Sequence, residues 1–261
     1  MISCFFVIVI HVTNYFCRAY GEITQSEYLF ALLLDTLARV SVPCFFIDLR
    51  SIAFGKRRTV EKQRGETASF FCIALVVWSV VYYIWNRAFM KTEYNLKEIL
   101  YVPTEPHLWY LYAMIPIYMV LPFFQVMCKG MSRKLERTLL VVCGASVVFN
   151  YMVSLQNGEA YYDLPLVGDK VYMFYIFIGY FIYKYRREIR ISQKGAAAIF
   201  SGCMTGMFAL TVFLTQRSGE HYERVLEYGC PLTVLAGAAF FMILIRWQNG
   251  EICLKERKKA S

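Results

Sequence analysis

The chain has 261 residues, 58% of them hydrophobic and 17% aromatic, with a mean hydropathy of +0.42. Soluble domains carry an apolar share nearer half, so a soluble fold is excluded. The formal charge of +9 does not point to nucleic acid, because Lys and Arg fall in short clusters between apolar runs rather than on one basic domain.

Taken in chain order, the apolar runs predict eight membrane helices, near 1–16, 28–49, 68–86, 107–127, 138–154, 171–184, 195–215 and 229–246. A helix needs about 20 apolar residues to cross the hydrocarbon core, so the first and sixth are short. The first run is apolar from Ile2 with no basic stretch ahead of it, which predicts a retained span rather than a signal peptide. Positive charge then sets the orientation, since cytoplasmic loops retain Lys and Arg. The loops after the second, fourth and sixth runs, together with the tail, hold 19 Lys and Arg, whereas the intervening loops hold 7. The pattern predicts an all-α polytopic bundle with both termini cytoplasmic, forming one integral membrane domain over 1–261 in the cell membrane. The nine cysteines lie mostly inside apolar runs without a CxxC or CxxH pair, and they read as small buried apolar residues with no metal to hold.

Ionisable side chains inside spans carry the most information, because a charge at bilayer depth costs several kcal/mol unless it meets a partner, water or the bundle interior. His11, Asp35, Arg39, Asp48 and Arg50 stand out. An imidazole in a partly hydrated cavity titrates near neutral pH, so His11 can serve as a general base or can simply satisfy a neighbouring carbonyl. Asp35 and Arg39 are four apart on one helix face, within pairing distance of each other. Asp48 and Arg50 sit near the cytoplasmic end of the same span and carry no expected catalytic role. The fourth run opens with Pro106-His107-Leu108-Trp109-Tyr110, which reads either as an interfacial aromatic belt or as a platform on which a sugar ring stacks. Lys56, Arg57 and Arg58, like Arg186 and Arg187, are topology signals that would also suit the phosphates of a coenzyme A cosubstrate.

Several local patterns resemble the acyltransferase-3 family of integral membrane acyltransferases, which includes O-acetyltransferases of bacterial surface polysaccharides. Ser3-Cys4-Phe5-Phe6-Val7-Ile8-Val9-Ile10-His11 is similar to the family's first span ending in its catalytic histidine. Arg39-Val40-Ser41-Val42-Pro43-Cys44-Phe45-Phe46 resembles its R-x-x-V-P-x-F-F stretch. His107-Leu108-Trp109-Tyr110-Leu111, with Pro122 beyond, and Phe177-Ile178-Gly179-Tyr180-Phe181 resemble later spans. The resemblance implies transfer of an acyl group, acetyl above all, from cytoplasmic acyl-CoA to a hydroxyl of a cell-surface glycan or similar acceptor, with membrane lipid as surroundings and neither metal nor nucleic acid involved. It makes His11 the base and Arg39 a cation that lines the donor channel or steadies developing negative charge. Asp35 then either orients His11 or pairs with Arg39. His107, Trp109 and Tyr110 become acceptor-binding candidates, and Lys56, Arg57 and Arg58 bind the cosubstrate. The family's arginine upstream of the histidine, the small Ser-Gly pair after Phe45-Phe46 and the last two spans have no counterpart here, so the chain is expected to be truncated at both ends relative to the family. The rival expectations are a catalytically silent family member and, lower, a membrane transporter using the same ionisable groups as a relay.

Overall fold

The computed structural model describes the backbone over 2–49, 57–90, 97, 102–156 and 171–260, and side chains over 5–49, 69–90, 97, 102–156 and 171–247. All regular structure among these residues is helical: α1 (Ile2–Arg18), α2 (Gln25–Ala38), α3 (Ser41–Asp48), α4 (Arg57–Trp85), α5 (Trp109–Gly130), α6 (Arg133–Leu155), α7 (Tyr172–Lys184), α8 (Gln193–Ser218) and α9 (Pro231–Ala260). Each of the eight apolar runs lies on this set, the second being shared by α2 and α3. Among the described residues, six segments are long and apolar enough to cross a membrane, and Phe5–Arg18 is a shorter apolar helix. Helix α7, with 13 residues, falls short of a full span as well.

The chain divides into two compact units, one of residues 1–50 and 133–261 and the other of residues 51–132. In the first, α1, α2, α8 and α9 enclose a core that includes Cys17, Tyr28, Leu32, Met207 and Leu226. Helix α2 begins with a capping box, in which Thr24 accepts from the Glu27 amide at 3.4 Å and Glu27 accepts from the Thr24 amide at 3.0 Å. It ends at Arg39, four residues before Pro43. A proline has no N–H to give the Arg39 carbonyl and its ring crowds that oxygen, so the helix turns and restarts as α3.

Helix α3 wedges between α7 and α9, and glycine permits the approach on both sides. A Cβ on Gly179 would overlap the Ile47 backbone carbonyl, and one on Gly237 would lie 2.6 Å from Pro43 Cβ. The glycine in the Phe177–Phe181 fragment is therefore a packing residue. In the second unit α4 packs on α5, with Phe71 5.5 Å from Tyr118 ring to ring. Pro116 and Pro122 both lie inside α5 without ending it. Cysteines 17, 44, 128, 143, 203 and 230 are buried as expected; Cys72 is exposed on α4.

Candidate functional site

Asp35 and Arg39, one turn apart at the end of α2, meet as their spacing predicts. Arg39 Nε donates to Asp35 Oδ2 at 2.9 Å, and both side chains are buried, 0% of Asp35 and 6% of Arg39 being exposed. Desolvating either charge alone would cost several kcal/mol, so the pair must be held together and its remaining atoms satisfied. Thr13 of α1 does part of this, its hydroxyl lying 3.1 Å from Asp35 Oδ1 and 2.8 Å from the Val9 carbonyl. Glu223, in the short 3₁₀ turn before α9, supplies the second carboxylate, with Oε1 3.6 Å from Arg39 Nη2. Asn14 Nδ2 donates to Oε1 of the same Glu223 at 3.1 Å and Arg18 Nη2 to Oε2 at 3.0 Å. Two carboxylates and two guanidiniums thus balance at the end of the unit where α1 turns into α2 and α8 into α9.

His11 is exposed on α1. It stands three and seven residues before Asn14 and Arg18, so all three share one helix face, the face that Glu223 clamps. Thr13, two residues on, is the α1 side chain that reaches Asp35. Asp35 pairs with Arg39, one of the two roles open to it. Arg39 Nη2 is buried and makes no hydrogen bond among the described residues, while the guanidinium is held by Asp35, by the Glu223 carboxylate 3.6 Å from Nη2 and by the Tyr228 side chain.

A second histidine adjoins the network. Tyr28 Oη donates to Thr215 Oγ1 at 3.0 Å and lies 3.1 Å from His221 Nδ1. A phenol has a single proton. With that proton on Thr215, Nδ1 carries the imidazole hydrogen and donates to Tyr28, and Nε2 keeps the lone pair. Burial holds the His221 imidazole below its usual value near 6.5, against an upward pull from Glu223 and Asp35 and alongside a downward push from Arg39 and Arg18.

His107, Trp109 and Tyr110 gather at the start of α5 in the second unit. The His107 ring meets Tyr82 edge-on at 5.0 Å, and Trp109 stands at 88° to Tyr110. His107 is exposed and the other two are half-buried. Lys56 and the side chains of Arg57 and Arg58 lie outside the described residues. Asp48 is exposed at the end of α3, and Arg50 lies outside the described residues. Sequence reading missed Thr13, Asn14, Arg18, His221 and Glu223. Asn14 and Arg18 were legible as a helical stripe with His11, but nothing local ties Glu223 to a residue some two hundred positions earlier.

The fold and this buried charge network define a multi-pass α-helical membrane protein with a polar site at one end of a helix cluster. The acyltransferase domain family, Acyl_transf_3, matches residues 1–252, and the chain belongs to this family of membrane acyltransferases. No curated protein and no solved structure matches the chain.

Proposed function

We propose that this chain transfers an acyl group, acetyl in the simplest case, from acyl-CoA to a hydroxyl of a cell-surface glycan or similar acceptor. The observation that supports this reading is the neutralised Asp35–Arg39–Glu223 network, whose Glu223 meets Asn14 and Arg18 on the face of α1 that carries His11. Acyl transfer needs a base for the hydroxyl and a fixed donor for the oxygen that becomes negative. His11 takes the acceptor proton as the hydroxyl oxygen bonds to the thioester carbonyl carbon. Arg39, held by Asp35 through Nε, offers Nη2 to the developing oxyanion. Collapse breaks the carbon–sulfur bond, and the proton on His11 passes to the departing sulfur to give coenzyme A. Lys56, Arg57 and Arg58 serve the cosubstrate phosphates at the cytoplasmic face, and His107, Trp109 and Tyr110 serve the acceptor ring.

The test is acceptor-dependent release of coenzyme A by the full chain in membranes. His11→Ala is expected to lower turnover by about 10²- to 10⁴-fold with unchanged insertion. Arg39→Ala loses turnover and also yields less protein, since it strands buried Asp35 at a cost of about 3–5 kcal/mol. Turnover unchanged in His11→Ala, at equal protein level, refutes the assignment.

A further inference from the structure

We propose that the start of α6 is a binding site for an anionic phospholipid, with its phosphate on Lys134, Arg137 and Arg133 and an acyl chain along Val141 and Val142. These residues, together with Thr138, line a groove of about 540 Å³. The site follows from where the neighbouring acid has gone. Glu136 lies within the same turn as the three cations, yet its side chain points inward, is fully buried and accepts from Tyr180 Oη at 2.7 Å, Lys184 Nζ at 2.5 Å and Tyr185 Oη at 2.5 Å. It cannot neutralise the outer face of its own helix.

Arg133 is partly committed, pairing with Glu188 and packing its guanidinium 4.8 Å from the Tyr185 ring centre. Lys134 and Arg137, by contrast, have no carboxylate partner among the described residues. They stand with Thr138 and Val141 at the i, i+3, i+4 and i+7 positions of one face, at the end of α6 where backbone N–H groups also favour an anion. The Thr138 hydroxyl is turned to the Lys134 carbonyl at 3.0 Å and contributes no charge.

The choice of a lipid rests on what lies below the cations. Val141 is 69% and Val142 44% exposed, and α6 is a candidate span buried over only 11% of its apolar window, so the described residues of this unit leave the face open to hydrocarbon. A rise of about 1.5 Å per residue places Val141 about 6 Å deeper than Arg137. Positive charge followed directly by an apolar stripe matches a molecule that joins a phosphate to acyl chains. The lining holds no aromatic ring on which a nucleotide base could stack.

The experiment is native mass spectrometry of the full chain released from mixed micelles containing equal phosphatidylglycerol and phosphatidylcholine with identical acyl chains. Retained phosphatidylglycerol is expected to exceed phosphatidylcholine. The K134Q/R137Q variant should lower that preference about thirtyfold, on the scale of one surface charge to an anionic leaflet applied twice. Both side chains are exposed whereas Glu136 is buried, and an unchanged melting temperature serves as the control for folding. A similar loss in R186Q/R187Q would show diffuse attraction to any basic loop and overturn the site. Displacement of the lipid by inorganic phosphate or by coenzyme A at comparable concentrations would overturn the lipid assignment in favour of a soluble phosphate ligand. Acyl transfer enters none of these readouts, so the result stands apart from the catalytic proposal.

Discussion

At the scale of single residues, the two histidines near the polar network differ in kind. His11 is exposed on a helix face and was visible from its place at the end of an apolar run. His221 sits in the turn between α8 and α9, where no periodicity marks it, and its character comes from Tyr28, Thr215 and the surrounding charges. Its lowered pKa has a consequence for stability. The unfolded chain binds a proton at His221 more readily than the folded one, so the folded state loses stability as pH falls through the ordinary histidine range near 6.5 and keeps it fully above. His221→Gln is expected to flatten the pH dependence of thermal unfolding between about pH 7.5 and 5.5. The groups facing it, Tyr28, Asp35, Glu223, Arg39 and Arg18, are unchanged in that variant. An identical slope in both proteins would show that His221 titrates as it does in the unfolded chain.

At the scale of elements, the sequence placed Asp35 and Arg39 correctly because a helix fixes the spacing of neighbours within itself. It did not place the break after Arg39, since the second apolar run reads as one uninterrupted span. Pro43 supplies the physical cause, and the Thr24–Glu27 capping box, also written in the sequence, fixes the other end of α2. What neither feature announces is the wedge that α3 makes against α7 and α9. Gly179→Ala is expected to destabilise the protein by about 1–3 kcal/mol, because the added methyl meets the Ile47 backbone rather than a side chain that could turn aside. Gly202→Ala, where nothing lies within 4 Å of the new atom, serves as the comparison and should be neutral or slightly stabilising. Equal melting temperatures for the two variants would contradict the wedge.

At the scale of the whole molecule, alternation of charge predicts which ends of the helices share a side of the membrane. The turns at Gly21 and Gly219, both with positive φ, close the end of the first unit that carries the polar network, and the predicted orientation puts them outside the cell. Cysteines introduced at Glu22 or Glu220 should therefore react with an impermeant thiol reagent in intact cells, whereas one at Lys194 should react only after permeabilisation. The reverse pattern would invert the chain and place the His11 face in the cytoplasm, opposite to the side on which the proposed glycan acceptor would lie.

Composition and period decided, without help from the fold, that this is a helical membrane protein, because a bilayer leaves a chain of this hydropathy few ways to satisfy its backbone. Local spacing also decided the Asp35–Arg39 pair and the helical face of His11. Only tertiary structure decided which charges neutralise one another across the chain. Glu223 meets α1 and Arg39, and buried Glu136 meets Lys184 and Tyr185, because separate helices bring them together. Desolvation makes each of those meetings compulsory once the helices pack, yet it fixes no separation in sequence that a reader of the chain could have counted.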